Sequence, residues 1–379
     1  MNQNFLHIYT LIISVFLVSC STMKENSITI VENPYGSIKG GKEISSFSFK
    51  NRHGVEMEVI NYGAIVTTLR VPDRKGKLAD VVLGFDNIEQ YVSDKSYFGA
   101  ICGRVGNRIA EGNFNLGGKD YNLAKNDNGN HLHGGIKGFN KRVWDAEIIE
   151  NDGSPGLKLF YLSKDGEEGY PGNLSISVIY SLTDQNELKI DYEATTDQLT
   201  VINPTHHGYF NLSGAGEGDI LDHELWINAD KFTPVRQGLI PTGELKNVRN
   251  TPMDFREATR IGKRINQEDK QLEIGLGYDH NWVLNDWDSS LRLAVTLYEP
   301  LSGRFMEVLT TEPGMQFYSG NFLDGSSKGK LGKQYHHRSA LCLEADHFPD
   351  SVNQPSFPTV VLKPKDIYTQ TTVYRFSTK

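Results

Sequence analysis

Apolar and polar positions alternate in pairs along much of this chain. Leu174, Ile176, Val178 and Tyr180 alternate with polar or smaller residues, and beyond a turn at 184–186 so do Leu188, Ile190 and Tyr192. Side chains of period two fall on one face of a strand, so this is an antiparallel pair with one buried face. Val55, Met57 and Val59 repeat the pattern; residues 65–71 are β-branched, 72–76 form a turn, and 81–83 make a further strand. Phe114 to Leu116 and Tyr121 to Leu123 flank Gly117-Gly118, a hairpin signature. Residues 222–228 and 291–298 also read as strands. Helical spacing is scarce. Ala258, Ile261 and Ile265 share one face of a helix expected over 256–265, with Asp254 as its cap, and 86–97 has room for a short one. Many short strands with few helices predict an all-β chain built as a large β-sandwich.

Composition sharpens this in two places. Thirty-seven glycines in 379 residues agree with many tight turns, and a net charge of −8 without a basic run excludes a nucleic-acid surface. The partner is therefore small and not a polyanion. At the N-terminus, Phe5 to Val18 is almost wholly apolar and ends Leu17-Val18-Ser19-Cys20. That run is short for a membrane span but fits an export signal. A small residue before Cys20 resembles a bacterial lipobox. Residues 1–20 are thus expected to be a lipoprotein signal ending at a lipidated Cys20, 21–36 a flexible tether, and 37–379 a single catalytic domain. The lipid anchor would be the only membrane contact, on the periplasmic side. Cys102 and Cys342 lie in apolar stretches and are expected to be buried thiols, although an oxidising compartment permits a disulfide.

The chemistry centres on Asn203-Pro204-Thr205-His206-His207-Gly208-Tyr209-Phe210-Asn211. Read as a strand leaving an Asn-Pro turn, it turns its two imidazoles to opposite faces, so one alone can serve a cleft. His131-Leu132-His133-Gly134-Gly135, Asp279-His280-Asn281 and Glu344 add further donors and acceptors. His131-x-His133 with Glu344 could ligate a metal, but no Cys pair or His-Glu-x-x-His helix supports zinc. No Gly-x-Ser-x-Gly elbow supports a serine nucleophile. Glu344 with Asp279 or Asp346 could form a glycosidase pair. The remaining option is a Glu–His acid–base pair acting on a polyhydroxylated substrate.

Eight ordered motifs resolve that choice. Gly103-Arg104-Val105-Gly106-Asn107-Arg108-Ile109, Asn130 to Gly135, Asp165 to Gly172 and Asn203 to Asn211 come first. Gly277 to Asn281, Pro313 to Tyr318, Gly320-Asn321-Phe322 and Leu343-Glu344 follow. The set resembles the aldose 1-epimerase (galactose mutarotase) family from about Ile38 to the C-terminus. The resemblance implies a large antiparallel β-supersandwich with an open sugar cleft. It implies Glu344 as catalytic base, His207 as catalytic acid, and His133 as a helper at the ring oxygen. Asn107, Arg108, Asp279 and Gln316 would bind sugar hydroxyls. Glu344 would begin as carboxylate and His207 as imidazolium. No cofactor or metal is needed, though some relatives carry calcium; no site for it is legible here. A free aldose such as galactose or glucose is the expected substrate, and a monomer the expected state. A non-catalytic sugar-binding lipoprotein, a glycosidase-like enzyme and a phosphosugar epimerase are the rival readings. Two positions depart from the family pattern: His206 replaces an Asn, and Ala345-Asp346-His347 replaces a run that begins Thr-Gln.

Overall fold

The computed structural model describes Met1 and residues 28–151 and 154–379, so the expected signal and Cys20 lie outside the described residues. Three antiparallel sheets of five or more strands dominate. A nine-stranded sheet runs in the order Asp145–Asn151, Ser154–Ser163, Leu174–Leu182, Glu187–Thr196, Tyr368–Thr378, Arg304–Thr310, Arg292–Tyr298, Glu224–Ile227 and Thr259–Arg260. The anticipated pair is there in register, with Val178 opposite Tyr192 and Tyr180 opposite Ile190.

The six-stranded sheet positions the chemistry. Its order is Tyr209–Phe210, Leu341–Asp346, Gly314–Tyr318, Asp279–Val283, Lys231–Thr233 and Lys246–Asn247. Residues directly opposite each other share a face, which sorts this sheet into two sides. His280–Phe317–Leu343 and Trp282–Met315–Ala345 are two cross-strand rows on one side. All but His280 belong to the main apolar core. The strand Tyr368–Thr378 of the larger sheet lies against that side. Tyr374 donates to the Leu343 carbonyl at 3.0 Å, and Gln370 Nε2 to the Ala345 carbonyl at 3.0 Å. The other side carries Asp279, Asn281, Gln316 and Glu344.

Three expectations are corrected. The helix over 256–265 does not form: the segment is a bend, the strand Thr259–Arg260 and a single 3-10 turn, Ile261–Lys263. Ile261 and Ile265 are buried as the spacing required. However, Arg260 pairs with Glu224 at the sheet edge, and Asp254 binds the Arg256 guanidinium at 2.7 and 2.9 Å instead of capping a helix. The tether over 21–36 is overlapped by the strand Thr29–Ile38, paired with Lys42–Lys50. Its side chains are mostly exposed, so its partner is backbone, which leaves no mark in hydropathy. Residues 81–83 form a single bridge, Val82 to Phe210, rather than a strand. The short helix within 86–97 is present as Ile88–Ser93, with the Asn87 side chain accepting from the Gln90 N–H at 3.1 Å. A second, Lys270–Gly275, starts at Asp269. Cys102 and Cys342 are free and buried.

Arg104 ties the loops above the core together. It is 1% exposed, donates from Nη1 to Pro171 O, Gly172 O and Thr200 Oγ1 at 2.7–3.1 Å, and from Nη2 to Ser163 Oγ at 2.7 Å. Removing it leaves those acceptors buried and unmatched. Arg104→Leu should therefore lower unfolding free energy by about 3 kcal/mol or more. An unchanged urea midpoint would refute that role.

Candidate active site

The strand Leu341–Asp346 brings Glu344 to the floor of a cavity of about 520 Å³. Asn107, Arg108, His133, His207 and Asp279 also line it. Glu344 is 2% exposed, and its Oε1 lies 3.6 Å from His207 Nε2. His207 arrives on the strand Thr205–His207, paired with Ala100–Cys102. Alternation separates the two imidazoles as expected. His207 faces the cavity, whereas His206 lies 5.7 Å from the Tyr374 ring with neither nitrogen hydrogen-bonded.

The opposite wall is a pair of interlocked turns. The Asn107 N–H donates to His133 Nδ1 at 3.2 Å, and the His133 N–H to the Asn107 carbonyl at 3.0 Å. Both residues adopt left-handed backbone, with φ of 53° and 49°. Non-glycine residues take that conformation sparingly, and Asn and His tolerate it better than most. Gly134 presses against the neighbouring loop: a Cβ there would stand 1.7 Å from the Gly103 carbonyl oxygen. Because His133 Nδ1 is an acceptor, its ring proton sits on Nε2. Arg108 Nε donates to Asp127 Oδ2 at 2.8 Å, which fixes the guanidinium at the rim.

Electrostatics favour uncharged groups. Burial pushes Glu344 well above the carboxylate range; Asp279 adds to this and Arg108 opposes it. Burial pulls His207 down to about 4, and it pulls His133 well below the usual imidazole value, helped by His207 and Arg108. One proton shared by the pair thus favours the carboxyl. This is the reverse of the carboxylate–imidazolium pair inferred from the resemblance, because desolvation outweighs attraction between the charges.

One other expectation changes, and His131 is structural as expected. Gln316 is not among the cavity-lining residues; its amide donates to Asp279 Oδ1 at 2.6 Å and so holds that carboxyl from behind. His131 does not join His133 as a ligand pair. Its Nδ1 contacts the Ala124 carbonyl at 2.8 Å and its Nε2 the Tyr170 hydroxyl at 2.7 Å, which occupies both nitrogens. The donor atoms of His133, His207 and Glu344 do converge within 4.8 Å. Two imidazoles and one carboxylate do not suit calcium, which takes six to eight oxygens, so no calcium is assigned to them.

Sequence reasoning missed Tyr97, whose ring lies 4.6 Å from His133 and 5.8 Å from His207, and Asp127, which anchors Arg108. Both sit in polar, aperiodic stretches. The side chain within 4 Å of the Glu344 carboxyl is an imidazole, and Asp279 lines the same cavity.

The family profile for aldose 1-epimerase matches residues 45–375. Bovine galactose mutarotase is 44% identical over 351 residues, covering 92% of this chain and 99% of the relative. The aldose 1-epimerase of Escherichia coli K12 is 36% identical over 340 residues, covering 89% and 96%. Among solved structures, galactose 1-epimerase from Lactobacillus acidophilus matches with a TM-score of 0.81 at 27% identity, covering 92% of this chain and 99% of that one.

The Gln316–Asp279 hydrogen bond generates a prediction. Gln316→Leu releases the Asp279 carboxyl and keeps both Glu344 and His207. KM for an aldose should rise several-fold while kcat stays within about twofold, since uniform binding is what is lost. A kcat that collapses with KM unchanged would place Gln316 in the chemistry instead.

Proposed function

The chain belongs to the aldose 1-epimerase family and, as an isomerase, interconverts the α and β anomers of aldoses; from that premise we propose that Glu344 and His207 carry its two proton transfers. The observation behind this is their 3.6 Å approach at the floor of a cavity ringed by hydroxyl-binding groups. No cofactor is needed. As the sugar binds, its O1 hydroxyl donates to Glu344 and its ring oxygen accepts from His207. Those hydrogen bonds favour the charged forms and move the shared proton onto the imidazole. Glu344 then takes the O1 proton while His207 protonates O5. The C1–O5 bond breaks and C1=O forms. Rotation about C1–C2 offers the other carbonyl face to O5. Closure returns the O5 proton to His207 and the Glu344 proton to O1, so the enzyme ends as it began. Neutral His133, donating from Nε2, supports the ring oxygen. Asn107, Arg108 and Asp279 hold the remaining hydroxyls, and galactose and glucose are the substrates in view.

The competent pair carries one proton. It gains a second below the depressed His207 value, about 4, and loses its last above the raised Glu344 value. These limits belong to the pair, not to either residue. Polarimetry of fresh α-D-galactose should give a bell-shaped kcat/KM, with the acid limb near pH 4 and the alkaline limb above the ordinary carboxylate range. Glu344→Gln and His207→Asn should each cost about 10²-fold or more in kcat. Near-normal relaxation in either variant defeats the assignment.

A second proposal concerns place. Leu17-Val18-Ser19-Cys20 supports lipidation of Cys20, hence an enzyme tethered on the periplasmic side of a bacterial envelope. No helix among the described residues is long and apolar enough to cross a membrane. Cys20→Ser should abolish incorporation of labelled palmitate and shift the protein out of the membrane fraction. Unchanged labelling would rule the anchor out.

A further inference from the structure

A second carboxyl shares the buried side of the strand that carries Glu344. Asp346 stands two residues further on, so alternation turns it to the same face. It is 0% exposed, neither of its oxygens has a hydrogen-bond partner in the protein, and it is not among the residues lining the cavity. The polar atoms beside it are equally unmatched: Glu344 Oε2, Gln316 Oε1 and both amide atoms of Asn281. Asn281, Gln316 and Glu344 form one cross-strand row, and Asp346 lies in the next row, opposite Gly314. Gly314 lets the two rows close up, since the space a side chain would need is already filled. A Cβ would meet Asn281 Oδ1 at 2.4 Å and the Asp346 carbonyl oxygen at 2.8 Å. Buried polar atoms left without partners are costly, and ordered water is the usual way such groups are satisfied.

We propose that Asp346 is a positioning residue for the epimerisation: it donates, through a water held between the two carboxyls, to Glu344 Oε2. Oε1 is then left for His207 and the sugar. The proposal rests on the reading of Glu344 as the base. It also supplies what burial denies that base, a hydrogen bond to its charged form, which favours the carboxylate.

The surroundings keep Asp346 protonated. Glu344 on its own strand and Glu312, from the segment after Arg304–Thr310, both face it, and with burial they push its carboxyl well above the ordinary range. The Cys102 thiol and the Tyr368 hydroxyl are the other titratable neighbours that sense its charge, and neither is a cation. Glu312 is itself engaged by His347 Nδ1 at 2.6 Å. Glu344 faces Asp279, Arg108 and His207.

The test compares wild type with Asp346→Asn and Asp346→Leu by polarimetry on α-D-galactose across pH, with thermal unfolding as the control for folding. Asn still donates through the water, so kcat should stay within about threefold and the alkaline limb of kcat/KM near its wild-type position. Leu fills the space and donates nothing. Its kcat should fall about tenfold or more at nearly constant KM, with the alkaline limb moved to higher pH as the carboxylate loses its donor. If Asp346 is ionised instead, Asn removes a like charge and moves the limb to lower pH, which overturns the proposal even if the Leu variant fails to fold. A folded Leu variant with wild-type kcat and pH limb overturns it as well. A Glu344→Gln enzyme that stays active would instead sink the underlying reading, so the two failures are distinguishable.

Discussion

The site depends on one costly arrangement: a carboxyl taken almost wholly out of water and set 3.6 Å from an equally buried imidazole. Each charge alone would be strongly disfavoured there, and even the ion pair gains less from attraction than it loses in hydration. What the fold supplies is an environment in which the shared proton rests on the carboxyl and a bound sugar can draw it to the imidazole. The group pushed up and the group pulled down exchange their usual order. That suits a reaction whose two halves need the same proton inventory in opposite places. A more solvated pair would hold the charges apart at rest and leave the sugar little to change.

Holding that pair still is the work of the sheet below and the loops above. On the sheet side, the register from Leu341–Asp346 through Gly314–Tyr318 to Asp279–Val283 leaves Glu344, Gln316 and Asp279 no freedom to separate. Above, Arg104 binds the loop before Asn107 to the segments around Ser163, Pro171 and Thr200. The mutual hydrogen bonds of Asn107 and His133 then carry that rigidity to the cavity wall. Arg104 and Arg108 are thus close in sequence but different in office. Arg104 is a structural cation satisfied by carbonyls and hydroxyls. Arg108 is held by Asp127 at the rim, where a ligand can reach it.

Much of this was legible in the chain, for identifiable reasons. Alternation at Leu174 to Tyr180 and Leu188 to Tyr192 marks strands with one buried face, and the structure pairs them as expected. The ordered motifs carry the family, and six of the seven named cleft residues needed only to be brought together: Asn107, Arg108, His133, His207, Asp279 and Glu344. The failures share a cause. Ile261 and Ile265 are four apart and buried, which hydropathy cannot tell from a helix face, yet Gly262 and the pairing of Arg260 break the turn. The strand at Thr29–Ile38 is held by its backbone, and Tyr97 and Asp127 act through tertiary proximity that no spacing encodes. Gln316 was read by motif as a sugar contact, but a motif does not say which side of a carboxyl a side chain occupies.

The adjacent histidines show where sequence reasoning stops and geometry takes over. Strand alternation settles that His206 and His207 cannot serve one cleft together, but not which is turned inward. The pairing of Thr205–His207 with Ala100–Cys102 decides it by setting His207 opposite Ala100 and His206 opposite Ile101, a residue of the main core. The consequence is chemical. His206 stands among apolar groups with no partner for either nitrogen, its pKa pulled down to about 3 by burial, so it stays neutral and inert. His207 is buried almost as deeply, yet it has a carboxyl within reach and a cavity in front of it. Two side chains of the same type, one peptide apart, differ in function because one faces a proton acceptor and the other faces hydrocarbon. Burial is common to both, and the partner across the gap is what singles out His207 for the proposed proton transfer.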